Sequence, residues 1–195
     1  MTLRWYAEVG PQEPLDQGDI IALCPVVSWK DAPIGVEREE NVPELLKNSL
    51  ELSEMAVVVM TQTCDLANAK VRNVTLCPYY PVDEYRSGWE AAQSIQGRNP
   101  TDKTWYAFLD SVRKGQVFSL ALLNSDPELG VPLALVDFQE VFTLPRKFLE
   151  SYIAVTSERR VRLLPPYREH LSQAFARFFM RVGLPTDIDL SKYRR

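Results

Sequence analysis

Five consecutive residues able to hydrogen-bond or ionise, Thr61-Gln62-Thr63-Cys64-Asp65, follow directly on the apolar run Met55-Ala56-Val57-Val58-Val59-Met60. A polar turn at the end of a core strand is a place where chemistry or recognition is built on a rigid support. Cys64 has the atom for a nucleophile, but a reactive thiol needs a lowered pKa or a paired base. Asp65 beside it opposes a thiolate by like-charge repulsion, and the only histidine, His170, is distant in the chain. The alternative is structural: Cys64 as a small apolar side chain and Asp65 as a turn cap. Thr61, Gln62, Thr63, Cys64 and Asp65, with Arg72 adjoining, are therefore candidate binding residues first and catalytic ones second.

The three cysteines, Cys24, Cys64 and Cys77, could join His170 in a zinc site only if the fold brought them together. There is no C-x-x-C or H-x3-H pair to signal one. No Gly-rich phosphate loop, HExxH or GxSxG occurs, so no cofactor or metal is expected. A second candidate group is basic: Arg159, Arg160, Arg162, Arg168, Arg177 and Arg181. Arg177 and Arg181, spaced i,i+4, share a helix face that suits a phosphate backbone. The competing reading follows from the charge distribution. Residues 1–145 hold 11 Lys and Arg against 21 Asp and Glu, whereas 146–195 hold 11 against 5. A basic C-terminal part can either face a partner or fold back on the acidic body.

The elements that must position these residues are mixed. At 195 residues, with 46% hydrophobic and 25% charged content, one globular domain is expected over 1–195. It divides into a body over 1–150, with an acidic insertion at 28–54, and a C-terminal helical segment over 151–195. No window has the roughly 18 apolar residues of a membrane span. The start lacks a continuous apolar h-region, which points to the cytoplasm and reduced thiols. Strands are expected at 20–23, 55–60, 72–77 and 105–109, a strand or a helix at 116–123, and one bent strand or two short ones over 133–142. Pro25 cannot donate to a sheet ladder, so its strand stops, bulges or lies at an edge there, and Cys77-Pro78 repeats the pair either by chance or because two neighbouring strands end alike. Residues 28–54 read as a long connection with one short helix, 79–103 as a polar connection with a helical turn or two, and 144–151 as a short helix. Apolar residues at 167, 171, 174, 175, 178, 179 and 182 predict an amphipathic helix, started after Pro166 and stopped by Gly183 and Pro185. The fold class is α+β: a small bent antiparallel sheet or SH3-like β-barrel with a long amphipathic C-terminal helix.

The order of these signals resembles MazF/PemK-type toxins. Gly18-Asp19-Ile20-Ile21 is similar to that family's first strand, and Val57-Val58-Val59-Met60-Thr61-Gln62 to its second core strand running into a polar turn. Val74-Thr75-Leu76-Cys77-Pro78 sits where its next strand ends. Val136 to Leu144 (VDFQEVFTL) resembles its late strand leading into a short helix. The resemblance covers about half the chain in scattered pieces. It implies an SH3-like barrel, often dimeric, so that a homodimer is one expectation, and in many members a metal-independent RNA endonuclease of toxin–antitoxin systems. Such enzymes use an arginine near the second strand and a hydroxyl residue after the third. Here Glu51-Leu52-Ser53-Glu54 precedes Met55 and Pro78-Tyr79-Tyr80 follows Cys77, so neither position matches. Arg72, with Thr61 or Thr63, would have to substitute. The leading expectation is thus a non-catalytic binding or regulatory protein for a protein or RNA partner in bacterial stress or defence. The alternatives are a ribonuclease using Arg72 with Thr61 or Thr63, and a structural zinc protein.

Overall fold

The Val57-Val58-Val59 run is apolar without interruption because both faces of its strand are covered. In the structure, a computed structural model describing residues 4–30, 42–157 and 159–180, all three valines are fully buried. The strands are β1 (Tyr6–Val9), β2 (Asp19–Trp29), β3 (Leu50–Val59), β4 (Asn73–Pro81), β5 (Leu120–Leu123), β6 (Ala134–Asp137), β7 (Phe142–Pro145) and β8 (Arg160–Leu163). The helices are α1 (Val42–Asn48), α2 (Thr63–Ala67), α3 (Val82–Ile95), α4 (Asp102–Arg113), α5 (Arg146–Thr156) and α6 (Tyr167–Phe179). All strand pairs are antiparallel, in the order β1-β8-β2-β3-β4-β6-β5, with β7 also on β4.

Alternation along each strand sorts side chains into two cores. Ile20, Val58, Met60, Cys77 and Tyr79 face one side, where Leu171, Ala174, Phe175 and Phe178 of α6 cover them. Ile21, Cys24, Val57, Val59, Val74 and Leu76 face the other, beneath Leu149 and Ile153 of α5 and Leu66 of α2. Each fully buried valine contributes about 1.5–3 kcal/mol relative to exposure. A third cluster joins Val82, Trp105, Leu109 and Val112 of the α3–α4 pair to Leu120 and Leu135. The sheet is α+β and open, and it curls strongly. The Tyr6 hydroxyl, on one edge strand, donates to Asn124 O just past the other at 2.6 Å. Among the described residues no helix is long and apolar enough to cross a membrane.

Several expected elements differ. Neither Cys-Pro pair ends a strand. β2 bulges between Ile21 and Cys24 and continues through Pro25, which pairs with Glu54. Among the described residues its sole strand neighbour beyond the bulge is β3, the edge condition a proline needs. The 28–54 connection is correspondingly shorter: β2 reaches Trp29, α1 follows, and β3 begins at Leu50, while 31–41 lie outside the described residues. β4 runs through Pro78 to Pro81, and its partner changes there from β7 to β6. The 79–103 connection is mostly α3, of 14 residues. Trp105 to Leu109 is helix rather than strand. A reciprocal Thr101–Thr104 capping box starts α4, and its buried Trp105, Leu109 and Val112 follow helical spacing. The late strand is two strands, β6 and β7. From 151 onward the chain holds the rest of α5, then β8, then α6, so its basic part includes a strand of the sheet as well as helix. The expected stop at Gly183 lies outside the described residues.

β8 is inserted between β1 and β2, and charge fixes it there. Asp19 is completely buried, accepts from both Nε and Nη2 of Arg162 and from Asp16 N–H at 3.0 Å, and forms an ion pair with Arg160 Nη1 at 3.1 Å. The Arg160 guanidinium also donates to Gly10 O and Glu13 O, and Arg162 to Pro14 O. Burial pushes Arg160 below the usual arginine range, against the opposing pull of Asp19. The basic C-terminal part therefore folds back on the acidic body, Arg159 pairing with Glu8 and Arg168 with Asp16 as well. Gly18 permits this closeness. Its φ is +83°, and a Cβ there would stand 3.1 Å from Leu163 Cβ and 3.2 Å from Leu163 O.

Two outcomes follow. Arg160→Met leaves Asp19 short of a partner and is expected to cost about 3–5 kcal/mol in urea unfolding; a loss near zero would show the pair to be dispensable. Asp137, at the end of β6, is raised above the usual carboxylate range, mainly by burial and secondarily by Glu140, against the Gln139 N–H that it accepts. Its folded form thus favours the proton, and its contribution to stability is lost as pH rises through the folded pKa. Asp137→Asn is expected to melt higher than the parent at pH 7, the difference closing toward about pH 4, the ordinary carboxylate range.

Candidate functional site

The Thr61–Asp65 stretch is held from below by its own backbone partners. Met60 N–H donates to Thr75 O, and the Thr61 hydroxyl accepts from Thr75 N–H at 2.7 Å. Thr61 is buried and committed to that bond. The chain then turns into α2, whose Leu66 sits in the core, so that its start faces outward. Asn68 closes the turn by donating from Nδ2 to Cys64 O at 2.6 Å.

α6 supplies the opposite wall. Leu171 is buried beneath it, while Arg168, Glu169, Ser172 and Gln173 border the turn. Gln17 bridges the two sides: its Nε2 donates to Met60 O at 3.2 Å and to Ser172 Oγ at 3.3 Å. Together Gln17, Gln62, Thr63 and Cys64 of the body and those four α6 residues line an open cleft of about 410 Å³. Neither Gln17 nor the α6 residues were expected here from the sequence. The available signal was the Gln17-Gly18-Asp19 turn before a core strand, together with the polar face of the α6 pattern.

The charges of this cleft neutralise one another. Arg168 donates to Glu169 Oε1 at 2.8 Å and to Asp16 Oδ2 at 3.4 Å, and its hydrogen bond and charge hold Glu169 below the usual carboxylate range. What remains toward solvent is mostly neutral: two glutamine amides, the Ser172 hydroxyl and a thiol. The Cys64 thiol, a weak donor, donates to Gln62 Oε1 at 3.7 Å and to Asp65 Oδ1 at 3.8 Å. His170 lines a different cleft and is not brought to Cys64. Among the described residues Gln173 and the Gln62 Nε2 have no hydrogen-bond partner, and the Thr63 hydroxyl is buried without one. Thr63 also borders a neighbouring cleft of about 450 Å³ with Asp16, Arg146 and Arg162.

The other expected residues are placed elsewhere. Arg72 lines a cleft of about 540 Å³ with Arg146 and Lys147, which neither Thr61 nor Thr63 borders. The arginine and hydroxyls of the ribonuclease alternative are therefore not assembled into one site. Arg177 lies on the far side of α6, over the Phe118 ring. Arg181 lies outside the described residues. Cys24 and Cys77 are buried in different cores and Cys64 is exposed, so the thiols do not converge. Among the described residues no three His, Cys, Asp or Glu side chains form a metal-binding group. No protein-family model, curated protein or solved structure matches the chain.

The thiols give a direct check of this geometry. Burial pushes Cys77 up to about 12, with Asp137 adding to the shift, and Cys24 is wholly enclosed. Cys64 alone is expected to react with Ellman's reagent in the native protein, and the other two thiols only after denaturation. Fast reaction of three thiols in the native state would contradict the assigned burial.

Proposed function

We propose that the protein is a non-catalytic binding or regulatory module that recognises a protein partner through the cleft between the Gln62–Asp65 turn and the first half of α6. The observation that carries this reading is the chemistry of the cleft. Its ionic groups are spent on one another, while the amides of Gln62 and Gln173 remain open to a partner. Neutral donors and acceptors on a rigid support suit the backbone and side chains of a protein segment. A phosphate backbone is held by cations left unpaired for it, and Arg168 is already taken. Among the described residues there is also no nucleophile paired with a base: the groups at the Cys64 sulfur are an amide oxygen and a carboxylate.

A second surface supports a protein partner. Beyond the bulge, β2 and β3 form a two-stranded arm. Its outward cross-strand pairs, Val27 with Leu52 and Trp29 with Leu50, are exposed, Trp29 at 63% and Leu52 at 74%. Contiguous exposed apolar side chains of this kind mark interaction surfaces. The likeness to MazF/PemK-type toxins adds the proposed setting, a bacterial stress or defence system in which this chain binds rather than cleaves.

Cys64 offers the test. A benzophenone maleimide attached to Cys64 is expected, on illumination in a lysate of the source cell, to crosslink one discrete protein band. Gln62→Arg with Gln173→Arg is expected to reduce that band at least about tenfold, the effect of some 1.4 kcal/mol. In parallel, the purified protein is expected to leave mixed single-stranded RNA intact. RNA cleavage abolished by Arg72→Ala would overturn the reading in favour of the ribonuclease.

A further inference from the structure

The face of α6 turned away from the candidate cleft closes a second, separate cavity of about 480 Å³. Its floor is apolar, formed by Leu120 and Leu122 of β5 with Ala174 of α6, and one wall is the stacked pair Trp5 and Tyr167, whose ring centroids are 3.7 Å apart at 9°. Cations gather at its rim from two helix ends. Arg113 and Lys114 close α4, and Arg177 closes α6. Among the described residues no carboxylate lines the cavity.

Each cation taken alone suits the negative end of its helix dipole. Their convergence is what a dipole does not explain. Arg113 and Lys114 share a single carboxylate, Asp110, at 2.6 and 2.5 Å. Among the described residues Arg177 has no carboxylate within ion-pair distance. Its guanidinium sits 5.3 Å over the Phe118 ring, and its Nη1 comes within 3.9 Å of where a Cβ on Gly115, at the end of α4, would stand. Three cations against one anion at one mouth repel one another, on a chain whose net charge is −4. His170 on the same rim adds a further donor. An anionic group seated there would relieve the repulsion, and a flat apolar body attached to it would lie against the Trp5–Tyr167 wall and the leucine floor. The volume falls within the roughly 300–1,000 Å³ of small-molecule sites.

We propose that this cavity binds an aromatic monoanion, a flat ring system bearing one carboxylate or sulfonate, with Arg177 as the principal partner of the charge and Trp5 and Tyr167 as the wall for the ring. The site is distinct from the partner cleft proposed above, which lies on the other flank of α6, and the two share only Gln173 at their borders.

The probes are naphthalene-2-sulfonate and its neutral counterpart naphthalene-2-sulfonamide, titrated calorimetrically into the full chain. The sulfonate is expected to bind with one-to-one stoichiometry and the sulfonamide about tenfold or more weakly, as one charge interaction predicts. Arg177→Glu is expected to weaken the sulfonate by at least that factor and to leave the sulfonamide unchanged. Trp5→Phe is expected to remove most of the tryptophan quenching that the sulfonate causes. Equal affinity for the two probes, an Arg177→Glu variant that binds the sulfonate as the parent does, or no sulfonate binding up to millimolar concentration would each overturn the proposal. If Arg177→Glu fails to fold, the probe pair on the parent protein decides alone.

Discussion

The buried carboxylate of Asp19 is the interaction on which the rest of this structure depends. It has no contact with water and is satisfied by two guanidinium groups and a backbone N–H. A lone buried charge is costly, so Asp19 is tenable in the core only with β8 in place. That requirement ties three distant parts of the chain together. The 10–16 segment is held by Arg160 and Arg162 through its carbonyls, the start of β2 by Asp19 itself, and the start of α6 by Arg168 through Asp16. The candidate cleft lies directly on this assembly, because Gln17 belongs to the same turn. The rigidity of this cleft comes from a network that lies mostly beneath it and reaches its wall at Arg168.

The sequence displays some of this well and some of it poorly, for physical reasons. Val57 to Val59 are legible as a core strand because β-branched residues in a short run have few other uses. α6 is legible because its apolar residues keep helical spacing over more than three turns. α4 is misread as a strand: Trp105-Tyr106-Ala107-Phe108-Leu109 is rich in strand-favouring residues, yet tertiary packing against Leu120 and Leu135 and the Thr101 cap outweigh that preference. β1 and β8 are invisible locally. They are four residues each, and β8 carries two arginines in its core. An Arg-Val-Arg strand reads as surface until its acidic partner, some 140 positions away, is known. The charge asymmetry of the chain is the visible trace of that pairing, and it cannot by itself name which residues meet.

The candidate site was half legible for the same reason. Gln62 to Asp65 stand out as polar residues ending an apolar strand, whereas Arg168, Glu169, Ser172 and Gln173 look like the solvent face of any amphipathic helix. Only the sheet, by placing α6 across the end of β3, turns that face into a wall. α6 thereby serves both sides at once, and Gln173 borders both cavities. A helix buried along one stripe with a different cleft on each flank has little freedom to change by mutation on any face.

The place of β8 between the first two strands of the chain has a consequence for biosynthesis. Among the described residues β1 pairs with β8 alone, and the beginning of β2 pairs with it as well. On a ribosome the N-terminal strand therefore emerges with no partner to pair with, and it must wait until residues 160–163 have left the exit tunnel. Until then Asp19 has neither guanidinium, and the edge that β8 will fill stands open. This part of the sheet is completed only when β8 arrives rather than progressively along the chain, so the nascent chain carries an unpaired edge until then, the state in which β-proteins are most exposed to aggregation.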